Sequence, residues 1–179
     1  MDMRGFWFSL WGLFAISFGG VEAIAQTAAK PPGEATPTQL KQFTIRDRAS
    51  GLEWLRCSVG QVWNGFTCIG NARMLSLEEA QMAVDLANKE LGGNWRLPTV
   101  DELKTLVCMD CPPPKIDERL YPTTMAAPYW SSTKNRWSVG RYWTVNFYTG
   151  YSFGRNAPSM ARYVRLVKDL PARREAVAP

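Results

Sequence analysis

The sequence predicts an α+β domain, two short helices set against small antiparallel sheets, loop-rich and closed by two disulfides. Three observations predict it. Ser76-Leu-Glu-Glu79 and Thr99-Val-Asp-Glu102 are capping boxes, each opening an apolar stripe at helical spacing. From Tyr129 onward, short aromatic and β-branched alternations are broken by Gly, Asn and Pro, the pattern of antiparallel strands and turns. Four cysteines, an even number, follow an export-like opening segment.

Composition narrows the function before any motif is read. The 179 residues are 46% hydrophobic, enough for one core and one domain. Histidine is absent, which excludes Ser/His/Asp and Cys/His nucleophile schemes, His-liganded metals and imidazole acid–base chemistry. The glycines have no every-third-residue pattern, so a collagen stalk is excluded, and the aromatic content argues against extended disorder.

In chain order, Phe6 to Val21 is an uncharged apolar run of secretory length, closed by Ala23-Ile-Ala25. Residues 1–25 therefore read as a signal peptide cleaved before Gln26, with an uncleaved anchor as the alternative because Asp2 offsets Arg4. Export to the periplasm or cell surface follows, with no membrane insertion after cleavage. Residues 26–42 are small, polar and proline-bearing and read as a flexible linker. The domain is expected over 43–168, with a tail over 169–179.

Phe43 to Arg46 and Leu52 to Leu55 have strand composition around a turn at Asp47 to Gly51. Asn64-Gly65 predicts a hairpin inside the Cys57–Cys68 loop. Ala80, Ala83, Val84, Ala87 and Leu91 form the stripe of the first helix, which Gly92-Gly93 ends. Leu103, Leu106 and Val107 form that of the second, expected to run until the prolines after Cys111. Strands are expected at Tyr129–Ser132, Arg141–Phe147, Tyr148–Tyr151 and Ala161–Val167. In Arg141–Phe147 the alternation puts Trp143, Val145 and Phe147 on a buried face and Tyr142, Thr144, Asn146 and Tyr148 on a wet one.

Of three possible cysteine connectivities, the two local bridges Cys57–Cys68 and Cys108–Cys111 are the simplest. A zinc site needs two close pairs, and only Cys108 and Cys111 are close. A redox CxxC normally begins a helix, whereas this one ends one, just before Pro112-Pro113-Pro114.

Charge is unevenly spread. The net charge is +5, but no Asp or Glu lies between Arg119 and Lys168, where Lys134, Arg136, Arg141, Arg155, Arg162 and Arg165 also fall. That half is expected to be electropositive and to favour an anionic partner.

Gly51-Leu-Glu-Trp54, Gly93-Asn-Trp-Arg-Leu-Pro-Thr-Val-Asp-Glu-Leu103, Tyr129-Trp-Ser-Ser132, Trp143-Thr-Val-Asn-Phe147 and Tyr163-Val-Arg-Leu-Val167 together resemble the Lcl C-terminal domain family, over about Phe43 to Lys168. The Trp-Arg-Leu-Pro-Thr and Arg-Leu-Val phrases are similar to those of formylglycine-generating enzymes, and the resemblance implies a C-type-lectin-like fold. It also implies binding more than catalysis, since the family includes the glycosaminoglycan-binding end of a collagen-like bacterial adhesin.

Arginine forks suit sulfate groups and aromatic faces suit pyranose rings. The ligand residues expected from charge and aromaticity are Lys134, Arg136, Trp137, Arg141, Tyr148, Tyr151 and Arg155. Trp95, Arg96, Trp130, Trp143 and Arg165 lie inside the recurring phrases and are expected to be structural, the arginines hydrogen-bonded beneath loops. No catalytic residue, metal or cofactor is expected. The formylglycine-generating activity needs a cysteine pair near the C-terminus, and no cysteine follows Cys111. The nearest phrase to a calcium lectin's is Trp143-Thr-Val-Asn146, in a half without carboxylates for a hard cation. Glu53 and Asp101 are explained by a strand edge and a helix first turn. Interleaved basic and aromatic residues also suit single-stranded nucleic acid, against which export argues. The expected partner is an anionic polysaccharide, or a cell-envelope protein if the aromatic face serves assembly.

Overall fold

A computed structural model describes residues 43–171. The expected signal peptide, the expected linker and residues 172–179 of the expected tail lie outside the described residues. No helix among those described is long and apolar enough to cross a membrane. Among the described residues the fold is α+β: two helices and eight strands in three small antiparallel sheets.

The first sheet joins the two ends of the domain. β1 (Thr44–Asp47) and β8 (Val167–Asp169) flank β2 (Leu52–Leu55). β8 thus runs one residue into the expected tail. β2 is central, which corrects the expected edge position of Glu53: its carboxylate is buried, 3.4 Å from Arg46 and 3.7 Å from Lys168. β3 (Gln61–Trp63) and β4 (Cys68–Gly70) form the expected hairpin, with Trp63 opposite Cys68.

α1 (Leu77–Leu91) begins on its capping box, Ser76 accepting from the Glu79 amide while Glu79 accepts from that of Ser76. It stops where Gly92 takes φ 66°, a left-handed value that a side chain resists. α2 (Val100–Thr105) has the second capping box but ends six residues before Cys111. The stop is local: Leu106 and Val107 amides turn back to Leu103 and Lys104 carbonyls, and Val107 bridges Ile116. The prolines after Cys111 therefore do not end it. Both local disulfides are present, with Cα–Cα separations of 5.5 Å for Cys57–Cys68 and 5.3 Å for Cys108–Cys111, so both pairs lie in the disulfide range.

The third sheet is ordered β5 (Pro128–Lys134), β6 (Tyr142–Asn146), β7 (Ser152–Asn156). Neither of its faces is wholly wet, which corrects the alternation reading. Tyr129, Val145 and Phe147 join a cluster with Trp54, Leu103 and Val167, whereas Trp130 joins one with Trp95, Val84 and Leu166, against which Tyr142 packs. Thr144, expected to be wet, is buried and hydrogen-bonded to Asn156. Tyr148–Tyr151 is the β6–β7 turn rather than a strand, and the strand follows it. Ala161–Val167 forms no continuous strand either. It threads the core, bridging Leu75 at Arg162 and Tyr129 at Tyr163, while the Val164 and Leu166 carbonyls accept from Val59 and Leu55. Such a segment, buried from Val164 to Val167 and shared among several partners, has no single ladder.

Candidate functional site

The β5–β6 loop is built on Asn135. Its backbone amide donates to the Arg141 carbonyl (2.8 Å), and its side-chain oxygen accepts from the Trp137 amide (2.9 Å), an Asx turn. Its side-chain amide donates to the Gly154 carbonyl (2.7 Å) on β7. Gly154 is required there, because a Cβ would meet both the Trp143 indole and the Asn135 amide at 2.8 Å. One extra β7 residue between the Tyr142 and Thr144 pairings makes a bulge at this glycine. Trp143 therefore lies on bare β7 backbone.

These constraints shape an open groove of about 720 Å³ lined by Asn135, Trp137, Ser138, Arg141, Trp143, Arg155 and Met160. That volume is within the range of small-ligand sites. Arg162 underpins one wall, its Nε donating to Asn156 and its guanidinium touching Met160. Among the described residues, no carboxylate forms an ion pair with Lys134, Arg136, Arg141 or Arg155.

The other cations of the acid-poor half are engaged. Arg119 pairs with Asp117 (2.7 Å) and holds that carboxyl below its ordinary range. Lys168 lies near Glu53 and over the Trp95 ring (4.4 Å). Arg165 is fully buried, donating to Leu55, Arg56, Ser58 and Thr124 and facing Tyr121 (4.9 Å), and loss of water lowers its pKa. Arg96 forks onto Glu102 (2.8 Å twice) and reaches Asp169 (2.7 Å). Both arginines have the structural role expected for them.

Of the seven expected ligand residues, Trp137, Arg141 and Arg155 meet in the groove. Arg136 is exposed on the same loop without lining it. Lys134 faces a different recess of about 440 Å³ beside Glu78, Gln81, Ser132 and Tyr142. Tyr148 and Tyr151 stand at the β6–β7 turn, at the other end of β6, where Gly150 rests on Met109, Val107 and Lys115. The residues missed are Asn135, Ser138, Met160 and above all Trp143, which packs against the core and lines the groove with the rest of its ring. The Asn135-Arg-Trp137 spacing was a legible Asx-turn signal.

Fold and site together define a disulfide-closed α+β domain bearing an open groove of arginine and tryptophan. The chain matches the Lcl C-terminal domain over residues 43–168 and belongs to that family. Membership suggests an adhesin-like or surface domain. No curated protein matches it.

Proposed function

We propose that this domain is an exported, non-catalytic binding module for an anionic, sulfated polysaccharide, held in the groove of Trp137, Arg141, Trp143 and Arg155. One observation carries the reading: two arginines without ion-pair partners among the described residues line the same groove as two indole rings. Each guanidinium offers a planar donor fork to a sulfate, and each indole offers a face to a pyranose. Adhesin-like membership supports it. A C-type-lectin-like architecture belongs to the same proposal.

The experiment is a heparin-affinity comparison at two salt concentrations. Arg141→Ala with Arg155→Ala should weaken binding at least about tenfold, the loss of roughly 1.4 kcal/mol. Arg48→Ala with Lys89→Ala should change it little. Binding should fall with salt, because the screening length shrinks from about 10 Å at 0.1 M to about 3 Å at 1 M. Equal binding by both double variants sinks the polyanion reading and leaves the same aromatic surface to an envelope-protein partner.

A further inference from the structure

The β3–β4 hairpin pairs with no other strand among the described residues. Its two faces differ in kind. One is tied to the domain: Gln61 donates to the Thr123 hydroxyl (3.0 Å), that hydroxyl donates to the Cys68 carbonyl (3.2 Å), and the Arg56 guanidinium lies over the Trp63 ring (4.6 Å). The other is bare. Val62 and Ile69 are direct cross-strand partners, 66% and 50% exposed, and Phe66 at the tip is 90% exposed. Water-facing apolar side chains this close together on one element mark an interaction surface.

The tip is held in shape. Asn64 accepts from the Phe66 and Thr67 amides (both 2.9 Å), and the Cys57–Cys68 bridge holds β4 at the residue paired with Trp63, next to the turn. Arg56, over Trp63, stands near the turn and Arg73, packed on Gly60, at the base, and no Asp or Glu occurs from Trp54 to Leu77. Glu79, at the start of α1, has its carboxyl held below the ordinary range chiefly by the Ser76 amide and hydroxyl, with a smaller contribution from Arg73.

We propose that this hairpin is a shallow membrane wedge that places Phe66, Val62 and Ile69 in the interface of an anionic bilayer, with Arg56 and Arg73 at headgroup level. This departs from the expectation that membrane contact ends with the signal peptide. A convex tip crowned by one aromatic needs a surface that yields to it, as a lipid interface does, and the flanking cations match anionic headgroups. A second copy is the poorer occupant, since pairing hairpins would bring four arginines together without an acid between them.

The test is hydrogen exchange of the full chain, read locally over residues 62–69, so that other lipid contacts do not enter. With phosphatidylcholine vesicles containing phosphatidylglycerol, those amides should exchange about tenfold more slowly. Phosphatidylcholine alone should slow them less, and Phe66→Ser with Val62→Thr should abolish the effect while leaving heparin binding unchanged. Unchanged exchange with both vesicles overturns the proposal in favour of a protein partner. Equal slowing by both overturns the anionic-lipid assignment.

Discussion

Arg165 shows what a single residue carries here. It is fully buried without a carboxylate, and its stability comes from two carbonyls, two hydroxyls and the Tyr121 ring. Methionine fills similar volume but takes the guanidinium donor from the Leu55 and Arg56 carbonyls, each costing about 1–3 kcal/mol when buried and unpaired, while Ser58 and Thr124 keep their bonds to Tyr129 and Tyr121. Arg165→Met should therefore lower the unfolding free energy by about 2–4 kcal/mol in urea denaturation, a large part of the stability of a domain this size. An unchanged midpoint would mean that water or a shifted side chain replaces the guanidinium. The residue scale also separates what charge counting could reach from what it could not. The acid-free run from Arg119 to Lys168 was plain in the sequence, but its cations are not alike: Arg119 and Lys168 sit against carboxylates, and Arg165 lies inside. Asp117 is two residues from Arg119, but Glu53 and the partners of Arg165 are distant in the chain, so composition could not reveal those. Trp143 was assigned to the core for the same reason, since only the Gly154 bulge shows where its ring lies.

Among the elements, those whose signals are local were legible. Both helix starts, the Gly92 stop and the Asn64-Gly65 hairpin follow from hydrogen bonds within a few residues of the motif. The end of α2, the β6–β7 turn at Tyr148–Tyr151 and the threading of Ala161–Val167 depend on tertiary partners and were misread. One local motif also predicts a pH response. Arg96 and the Thr99 amide bond Glu102 and hold its carboxyl below the ordinary 4.5. A carboxylate depressed by folding stabilises the folded state above its unfolded pKa, and that contribution disappears as pH falls through the folded value. Thermal stability should thus decline below about pH 4.5. Glu102→Gln should be less stable at neutral pH and show a shallower acid decline. Identical acid slopes in calorimetry would show that the Arg96–Glu102 pair contributes nothing.

At the scale of the whole molecule, the arrangement separates scaffold from surface. β2 pairs with β8 and brings the ends of the domain together, while two clusters cover both faces of the β5–β6–β7 sheet. The loops at the far end of β5 and β6 are left to shape the groove. The central claim is that the ligand rests on Trp137 and Trp143 between Arg141 and Arg155. A nuclear magnetic resonance titration with a short heparin oligosaccharide, following the backbone amide, indole N–H and guanidinium Nε–H signals, tests it most directly. The account predicts saturable shifts at Trp137, Trp143, Arg141 and Arg155, with Trp54, Trp95 and Trp130 unmoved. Shifts confined to the Tyr148–Tyr151 turn or to Lys134, or no saturable shift at all, would contradict it.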